Sequence, residues 1–446
     1  MNIVICGAGE VGRHAATVLG EDGHDITIID KTAETLAAVE DVMDIRTLRG
    51  NGAQADVLRE ATVDQADLFI AATNIDEINL LCASVAKAVG ARRCVARVHH
   101  SAYFDQRGLP YGRHLGIDHL VCPEHATAEA IAQTLRNPGA MAVERFARGL
   151  VEMQQFQVSS DAKALGKSLA KIQLPGTARL AAIERSGGAF IPTGDSVVEG
   201  GDIVTLVGDA ESFERAQKLF LTGTARRRDV TIMGETSMAV WLCRALNSRH
   251  FAVKLFVAQR ERAEELAEKL EWVTVLCADL NDTSVIDQEH VHHTDAFVAV
   301  TDDDEHNILW AARAKSMGAR SVVAVLQRQT YLHLLEHIGI DLAFSPRVTA
   351  VTQMRHWIDE APVRHLASLA VGVADVYEVK VAGASTIVGV PLRDVVFPES
   401  IIIAAIQRGD DVFVPGADDS INSGDRVVIA GPSGIAPLLK KVFGIK

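Results

Sequence analysis

The chain has 446 residues, 48% hydrophobic but only 5% aromatic, and a formal net charge of −14 from 58 acidic and 44 basic side chains. That length predicts roughly two to four domains with aliphatic cores, such as buried parallel strands form. The acidic balance argues against a broad nucleic-acid or anionic-membrane surface. With no apolar run near the ~18–20 residues that span a bilayer, and no basic start followed by an apolar stretch and a cleavage site, the expectation is a cytoplasmic protein.

Residues 1–130 alternate strand and helix signals. Short apolar runs at 3–6, 26–29, 68–72, 94–98 and 119–122 are separated by helical stretches such as 77–89, which predicts a doubly wound parallel sheet. Between the first run and the first helix lies Gly7-Ala8-Gly9-Glu10-Val11-Gly12, a GxGxxG turn in the strand-to-helix context that it requires. Gly7 permits the tight turn, Gly9 lets the backbone approach a pyrophosphate, and Gly12 allows close packing of helix on strand. Phosphate would sit on the free N–H groups and partial positive charge of the helix start. Asp30 ends the second strand, 18 residues after Gly12; its carboxylate suits ribose hydroxyls and repels a 2′-phosphate, which favours NAD(H) over NADP(H). ATP, ADP and AMP share the free 2′-hydroxyl and fit equally. The alternative is a glycine turn kept for packing.

Three further residues belong to the same edge. Thr73 and Asn74 follow the 68–72 run, where ligands bind in open α/β sheets, and read either as ribose or phosphate neighbours or as a helix cap. Arg97 is a charge within an interior strand, facing either phosphate or a structural ion-pair partner. Glu10, beside the glycine turn, would either discriminate against an extra phosphate or merely cap the helix. The six cysteines have no CxxC spacing and read as reduced, buried thiols.

Residues 150–222 carry short β-type runs divided by Gly and Pro turns and end in a helix over 211–221, a small α+β unit. The order then repeats. AATNIDEIN at 71 is answered by AVTDDDEHN at 299, and AKAVGARRCVARV at 86 by AKSMGARSVVAVL at 314, both 228 residues on. The small unit starting LGKSL at 165 is answered by VGVPL at 388, 223 residues on, and GGD at 200–202 by SGD at 423–425. A duplication predicts four domains, over 1–140, 141–224, 225–363 and 364–446. The fold class is therefore α/β: two Rossmann-like doubly wound parallel sheets, each followed by a small α+β domain. The joint lies near GTARRRD at 223–229, whose arginines read as a solvated linker or, alternatively, as a contact for an acidic partner or a phosphate.

The second copy has lost part of the pattern. Gly234 matches Gly7, but Thr236 replaces Gly9, Ala239 replaces Gly12, and Val257-Ala258-Gln259-Arg260 holds no carboxylate where Asp30 is expected. Val325 stands where the first copy has Arg97. Dinucleotide binding is accordingly expected in the first half. Asp302-Asp303-Asp304-Glu305 reads as solvated helix capping rather than a cation site, and the His99-His100 and His292-His293 pairs lack metal-ligand spacing.

Taken in order, GAGEVG with Asp30, AATNIDEIN, the VARV strand and the small unit ending in GGD, all duplicated, resemble the tandem regulators of potassium conductance (RCK, or KTN, domains) of bacterial Trk potassium-uptake systems. The resemblance covers essentially the full chain. It implies a regulatory subunit rather than an enzyme, peripheral on the inner face of the cell membrane. It further implies a homo-oligomer, dimer or tetramer, forming a ring that gates a potassium-translocating membrane subunit of the Trk type when NAD(H), or ATP or ADP, binds. Carried onto this chain, Gly7, Gly9 and Gly12, with Ala8, Glu10 and Val11 between them, would cradle phosphate. Asp30 would hold the ribose, and Thr73, Asn74 and Arg97 would be secondary contacts. GETSMA at 234–239 departs from the family's frequent second glycine-rich turn. Two other classes remain open: an NAD-dependent oxidoreductase, for which the sequence offers no positioned acid or base, and a soluble nucleotide sensor with another partner.

Overall fold

Aliphatic and β-branched runs form the first sheet from β1 (Asn2–Cys6), β2 (Asp25–Asp30), β3 (Arg46–Arg49), β4 (Leu68–Ala71), β5 (Cys94–Arg97) and β6 (His119–Val121). The strand order is β3-β2-β1-β4-β5-β6, and every neighbouring pair is parallel. The order reverses between β1 and β4, which places the ligand-binding crevice of such sheets outside the carboxyl ends of those strands. β3, reading RTLR, was not expected; two arginines on an edge strand give no apolar run. The computed structural model describes residues 1–104, 109–136, 140–146, 151–176, 178–185, 188–208, 210–221, 227–279, 291–328, 331, 335, 337–358, 362–369, 374–397, 401–409 and 411–445.

The small α+β segment follows as β7 (Ala140–Phe146), β8 (Val151–Gln157), β9 (Arg179–Arg185), β10 (Gly188–Phe190) and β11 (Ile203–Gly208), with a helix over Ala210–Phe220. Its antiparallel sheet runs β10-β9-β11-β8-β7. The second half repeats both designs. β12 (Arg228–Met233), β13 (Phe251–Val257), β14 (Val273–Cys277), β15 (Ala296–Ala299), β16 (Ser321–Val325) and β17 (Leu342–Phe344) form a parallel sheet ordered β14-β13-β12-β15-β16-β17. β18 (Val363–Leu369), β19 (Ala374–Lys380), β20 (Ile402–Arg408), β21 (Asp411–Phe413) and β22 (Arg426–Pro432) form an antiparallel one ordered β18-β19-β22-β20-β21. Among the described residues no helix is long and apolar enough to cross a membrane. The cysteines are free, and all but Cys277 are buried.

The four segments gather into two compact units, one holding residues 1–135 and 227–358, the other 136–226 and 359–446. In the second unit, Met153, Ala181, Ala182 and Val207 share a core with Val376, Ala404, Ala405, Val428 and Ala430. The turn acids of GGD and SGD have matching structural work. Asp202 takes both Nε and Nη2 of Arg185 at 2.8 and 2.9 Å, and Asp425 takes those of Arg408 at 3.1 and 2.8 Å. Burial alone would raise the Asp202 pKa, but the Arg185 guanidinium and the Glu199 N–H hold it below the ordinary carboxylate value.

In the first unit the two parallel sheets trade helices. The helix Pro123–Arg136 follows β6, yet its buried side (Ala128, Ile131, Ala132, Leu135) lies in one core with Val230, Ile232, Leu242 and Leu255 of the second half. His125 packs edge-on against Trp241 at 4.5 Å, and Arg228 Nη1 donates to the Leu135 carbonyl. In return the helix Pro346–Ile358, which follows β17, buries Ala350, Val351 and Met354 among Ile3, Ile5, Val11 and Ala15 of the first half.

Truncating either traded helix should therefore loosen the opposite sheet. Met354→Ala and Ile131→Ala are each expected to cost about 2–5 kcal/mol in denaturant unfolding. Hydrogen exchange should quicken in β1 and β2 for Met354→Ala, and in β12 and β13 for Ile131→Ala. Quickening confined to the sheet of the mutated residue's own half would contradict the exchange.

Candidate functional site at the glycine turn

The crevice at the carboxyl ends of β1, β2, β4 and β5 collects Gly7, Asp30, Thr73 and Arg97. Gly7 has φ +109°, and a Cβ there would lie 2.9 Å from the backbone of Ala72 and Thr73, so no side chain fits between the turn and the end of β4. At Gly12 a Cβ would sit 1.9 Å from the Gly7 carbonyl oxygen; the helix Glu10–Glu21 packs on its own turn through that missing atom. Gly9 is different. Its backbone, φ −69° and ψ −174°, suits any residue, and a Cβ there would meet nothing within 4 Å. Gly9 is exposed and supplies no side-chain cap to the helix, whose first N–H groups have no intrahelical acceptor. Folding requires glycine at 7 and 12; at 9 glycine keeps the approach to the helix start open.

Asp30 is fixed over this turn. Its Oδ2 accepts from Ala8 N–H at 2.7 Å and its Oδ1 from Thr32 N–H at 2.9 Å. A carboxylate has about four acceptor positions, so two hydrogen bonds leave room for hydroxyl donors. Val11 is buried and packs into the core beneath the turn, while the exposed Glu10 pairs with Arg13 at 2.7 Å and with Arg347.

Among the secondary residues, the Thr73 hydroxyl donates to Asn79 Oδ1 at 2.7 Å, and Asn74 is exposed. The Arg97 guanidinium meets Glu124 at 3.4 Å with both side chains 15% exposed, and Arg97 Nε is buried with no hydrogen-bond partner. Both readings of Arg97 thus have a counterpart: an ion pair, and a donor still unspent.

Asn79 itself, fully buried, went unnoticed in the sequence. Its amide accepts from Thr73 N–H and donates to the Thr73 and Arg97 carbonyls at 2.8–3.0 Å, tying the ends of β4 and β5 together. Asn307 makes the same bonds to Thr301 and Val325, so the internal repeat held the signal. Asp76 accepts from the N–H groups of His99 and His100 and from the His99 ring. Burial pushes its pKa up, but these donors outweigh that and hold it low. Its counterpart Asp304 corrects the solvated-capping expectation in part: Asp303 caps its helix through His306 N–H, whereas Asp304 is 3% exposed and accepts from Gln327 and Arg328 N–H.

The second turn has the same frame and a closed mouth. A Cβ on Gly234 would meet the Val300 carbonyl at 2.7 Å, repeating Gly7. Thr236, in place of Gly9, donates its hydroxyl to the Val300 carbonyl at 2.9 Å and accepts from Ala239 N–H at 3.3 Å, capping its own helix. Val257, in Asp30's place, is fully buried, and the Glu235 carboxylate accepts from Gln259 N–H at 3.3 Å.

Comparison with known proteins places this geometry in context. The TrkA-N domain model matches residues 3–123 and 230–346, and the TrkA-C domain model residues 153–221 and 376–444. The chain is 36% identical over 429 residues to a Trk system potassium uptake protein TrkA homolog of Archaeoglobus fulgidus, covering 96% of this chain and 97% of the relative. It is 31% identical over 437 residues to the Trk system potassium uptake protein TrkA of Vibrio alginolyticus, covering 96% and 95%. Among solved structures, the GsuK channel bound to NAD shares its fold with a TM-score of 0.63 at 15% identity, over 99% of this chain and 78% of that one.

The glycines make separable predictions. Gly12→Ala should lower unfolding stability by about 1–3 kcal/mol through overpacking against the turn. Gly9→Ala, at an unstrained position, should leave it unchanged or raise it by about 0.4–1 kcal/mol. Equal losses in denaturant titrations would refute the distinction.

Proposed function

The chain belongs to the TrkA family of Trk system potassium uptake proteins, and from that premise we propose that it is the cytoplasmic, nucleotide-binding regulatory subunit of such a system, with its sensing site in the first half. The observation that carries this is the contrast between the two turns. The first presents an uncapped helix start, an open Gly9 and a fixed Asp30; the second fills the corresponding positions with its own hydroxyl, a buried valine and a carboxylate.

The residues present fit an adenine nucleotide. Phosphate would approach Gly9 and the N–H groups of the helix start, favoured by the helix dipole. Asp30 would accept the ribose hydroxyls, which suits NAD(H) and equally ATP or ADP. Arg97, at the end of β5, would be a secondary contact through its guanidinium. Support comes from the relatives, named as potassium uptake proteins and matched over 97% and 95% of their own lengths, and from the fold shared with a channel bound to NAD. The reading is regulatory rather than catalytic because the relatives are named as potassium uptake proteins and not as enzymes. The partner is a potassium-translocating membrane subunit of the Trk type, beneath which copies of this chain would close a ring as a dimer or tetramer.

Calorimetric titration of the full chain with NADH, NAD, ATP and ADP tests the site. Asp30→Ala removes a charged hydrogen-bond acceptor and should weaken binding by about ten- to a hundredfold, and Gly9→Val should block phosphate approach. Thr236→Ala should leave affinity unaltered. Unchanged affinity for all four nucleotides in Asp30→Ala would eliminate the site, and hydride turnover with a small-molecule substrate would favour an oxidoreductase instead.

A further inference from the structure

We propose that Arg347, a residue of the second half, is a phosphate-binding group of the first half's nucleotide site, and that Glu10 occupies it until the ligand's diphosphate takes its place. The inference rests on the nucleotide reading above and adds a ligand contact from the other half of the chain.

Arg347 is the second residue of the traded helix Pro346–Ile358. Because Ala350, Val351 and Met354 are locked into the first half's core beside Val11 and Ala15, the start of that helix is held against the start of the helix Glu10–Glu21. There the Arg347 guanidinium pairs with one oxygen of Glu10, whose other oxygen lies 2.7 Å from Arg13. Glu10 is the residue next to Gly9, on the open approach to the helix N–H groups. Its carboxylate therefore stands as an internal anion beside the place a phosphate would occupy. The positive charge of Arg347 also reaches His14, whose pKa falls below its ordinary value, first through burial and then through that guanidinium.

A diphosphate is the stronger partner for this arginine. It carries more charge than one carboxylate and offers paired oxygens to the planar guanidinium fork. Glu10 is 56% exposed, and on ligand arrival it keeps Arg13 while releasing Arg347. No covalent bond changes. The position also separates the two halves. Each traded helix opens with proline followed by a charged residue: Pro346-Arg347 from the second half, and Pro123-Glu124 from the first. Arg347 is delivered to the turn with its glycines intact, whereas Glu124 stays with Arg97 and His99. The second half thus contributes a cation to its neighbour's site and receives none in return from that position.

The test is calorimetric binding of ADP, NADH and adenosine to the full chain. Arg347→Gln should weaken ADP and NADH by about ten- to a hundredfold and leave adenosine unaltered, because adenosine has no phosphate. Glu10→Gln frees Arg347 and should tighten ADP by about two- to fivefold, the scale of an exposed ion pair. If Arg347→Gln binds ADP as wild type does while Asp30→Ala does not, the inference is wrong and the nucleotide site stands. If neither substitution matters, the site reading fails and takes the inference with it. Equal loss for adenosine would mark Arg347 as structural and overturn its phosphate role. Should Arg347→Gln fail to fold by circular dichroism, Glu10→Gln decides, and absence of tightening overturns the proposal.

Discussion

A doubly wound sheet must bury both of its faces, and here neither parallel sheet does so with its own helices alone. Each depends on a helix that follows the last strand of the other: Ala128, Ile131 and Leu135 seal the second sheet, Val351 and Met354 the first. That reciprocal burial is the constraint from which the rest follows. Side chains of this size are worth about 1.5–3 kcal/mol each when buried, so a half separated from its partner would expose apolar surface comparable in value to a domain's whole net stability. Joining both halves in one chain makes the association intramolecular. It also makes the pairing unlike: each half always meets the other, so the two sides of one contact are free to carry different residues.

The duplicated halves differ along a physical line. Most of the residues that tie backbone together agree between the copies, Gly12 against Ala239 being the exception. Gly7 and Gly234 both lie against a carbonyl, Asn79 and Asn307 both tie two strand ends, Asp76 and Asp304 both accept N–H pairs, and Arg185–Asp202 repeats as Arg408–Asp425. At the carboxyl edge of the sheet they part: Gly9 against Thr236, Asp30 against Val257, Arg97 against Val325. The frame of the first set is needed by both sheets. The second set would be needed only in the half that takes the proposed ligand.

Much of this was legible in the residues, and what was not has definite causes. The runs at Ile3, Ile26, Leu68 and Cys94 announced their strands because buried parallel strands are uniformly apolar, and repetition announced the second sheet. β3 was hidden by its edge position, which leaves RTLR with the single apolar residue Leu48. The GxGxxG turn and Asp30 do meet, since their spacing is set by one strand-helix-strand unit. Helix exchange could not be read: an apolar stripe such as Ala128, Ile131 and Leu135 says that a helix buries one side, but not against which sheet. Arg347 was invisible for the same reason, as it lies more than 300 residues from Glu10 in sequence and reaches it only through that exchange. Asp304, read as a solvated cap, is buried because the strand-end N–H groups of Gln327 and Arg328 need an acceptor.

The same exchange determines which contacts can transmit a signal. A ligand shifts an equilibrium between conformations only by binding one of them better, and couplings of about 1–3 kcal/mol are typical. Gly7, Gly9, Gly12 and Asp30 all belong to one strand-turn-helix-strand unit, so any grip that they have on a nucleotide would be nearly the same in any arrangement of the two halves. Arg347 comes from the opposite half, at the start of the helix that precedes β18 in the sequence. Its proposed contact with a phosphate would tie the first half's turn to a helix of the second half. The uniform contacts would then set the affinity, and the one group borrowed from the other half would set the difference between states.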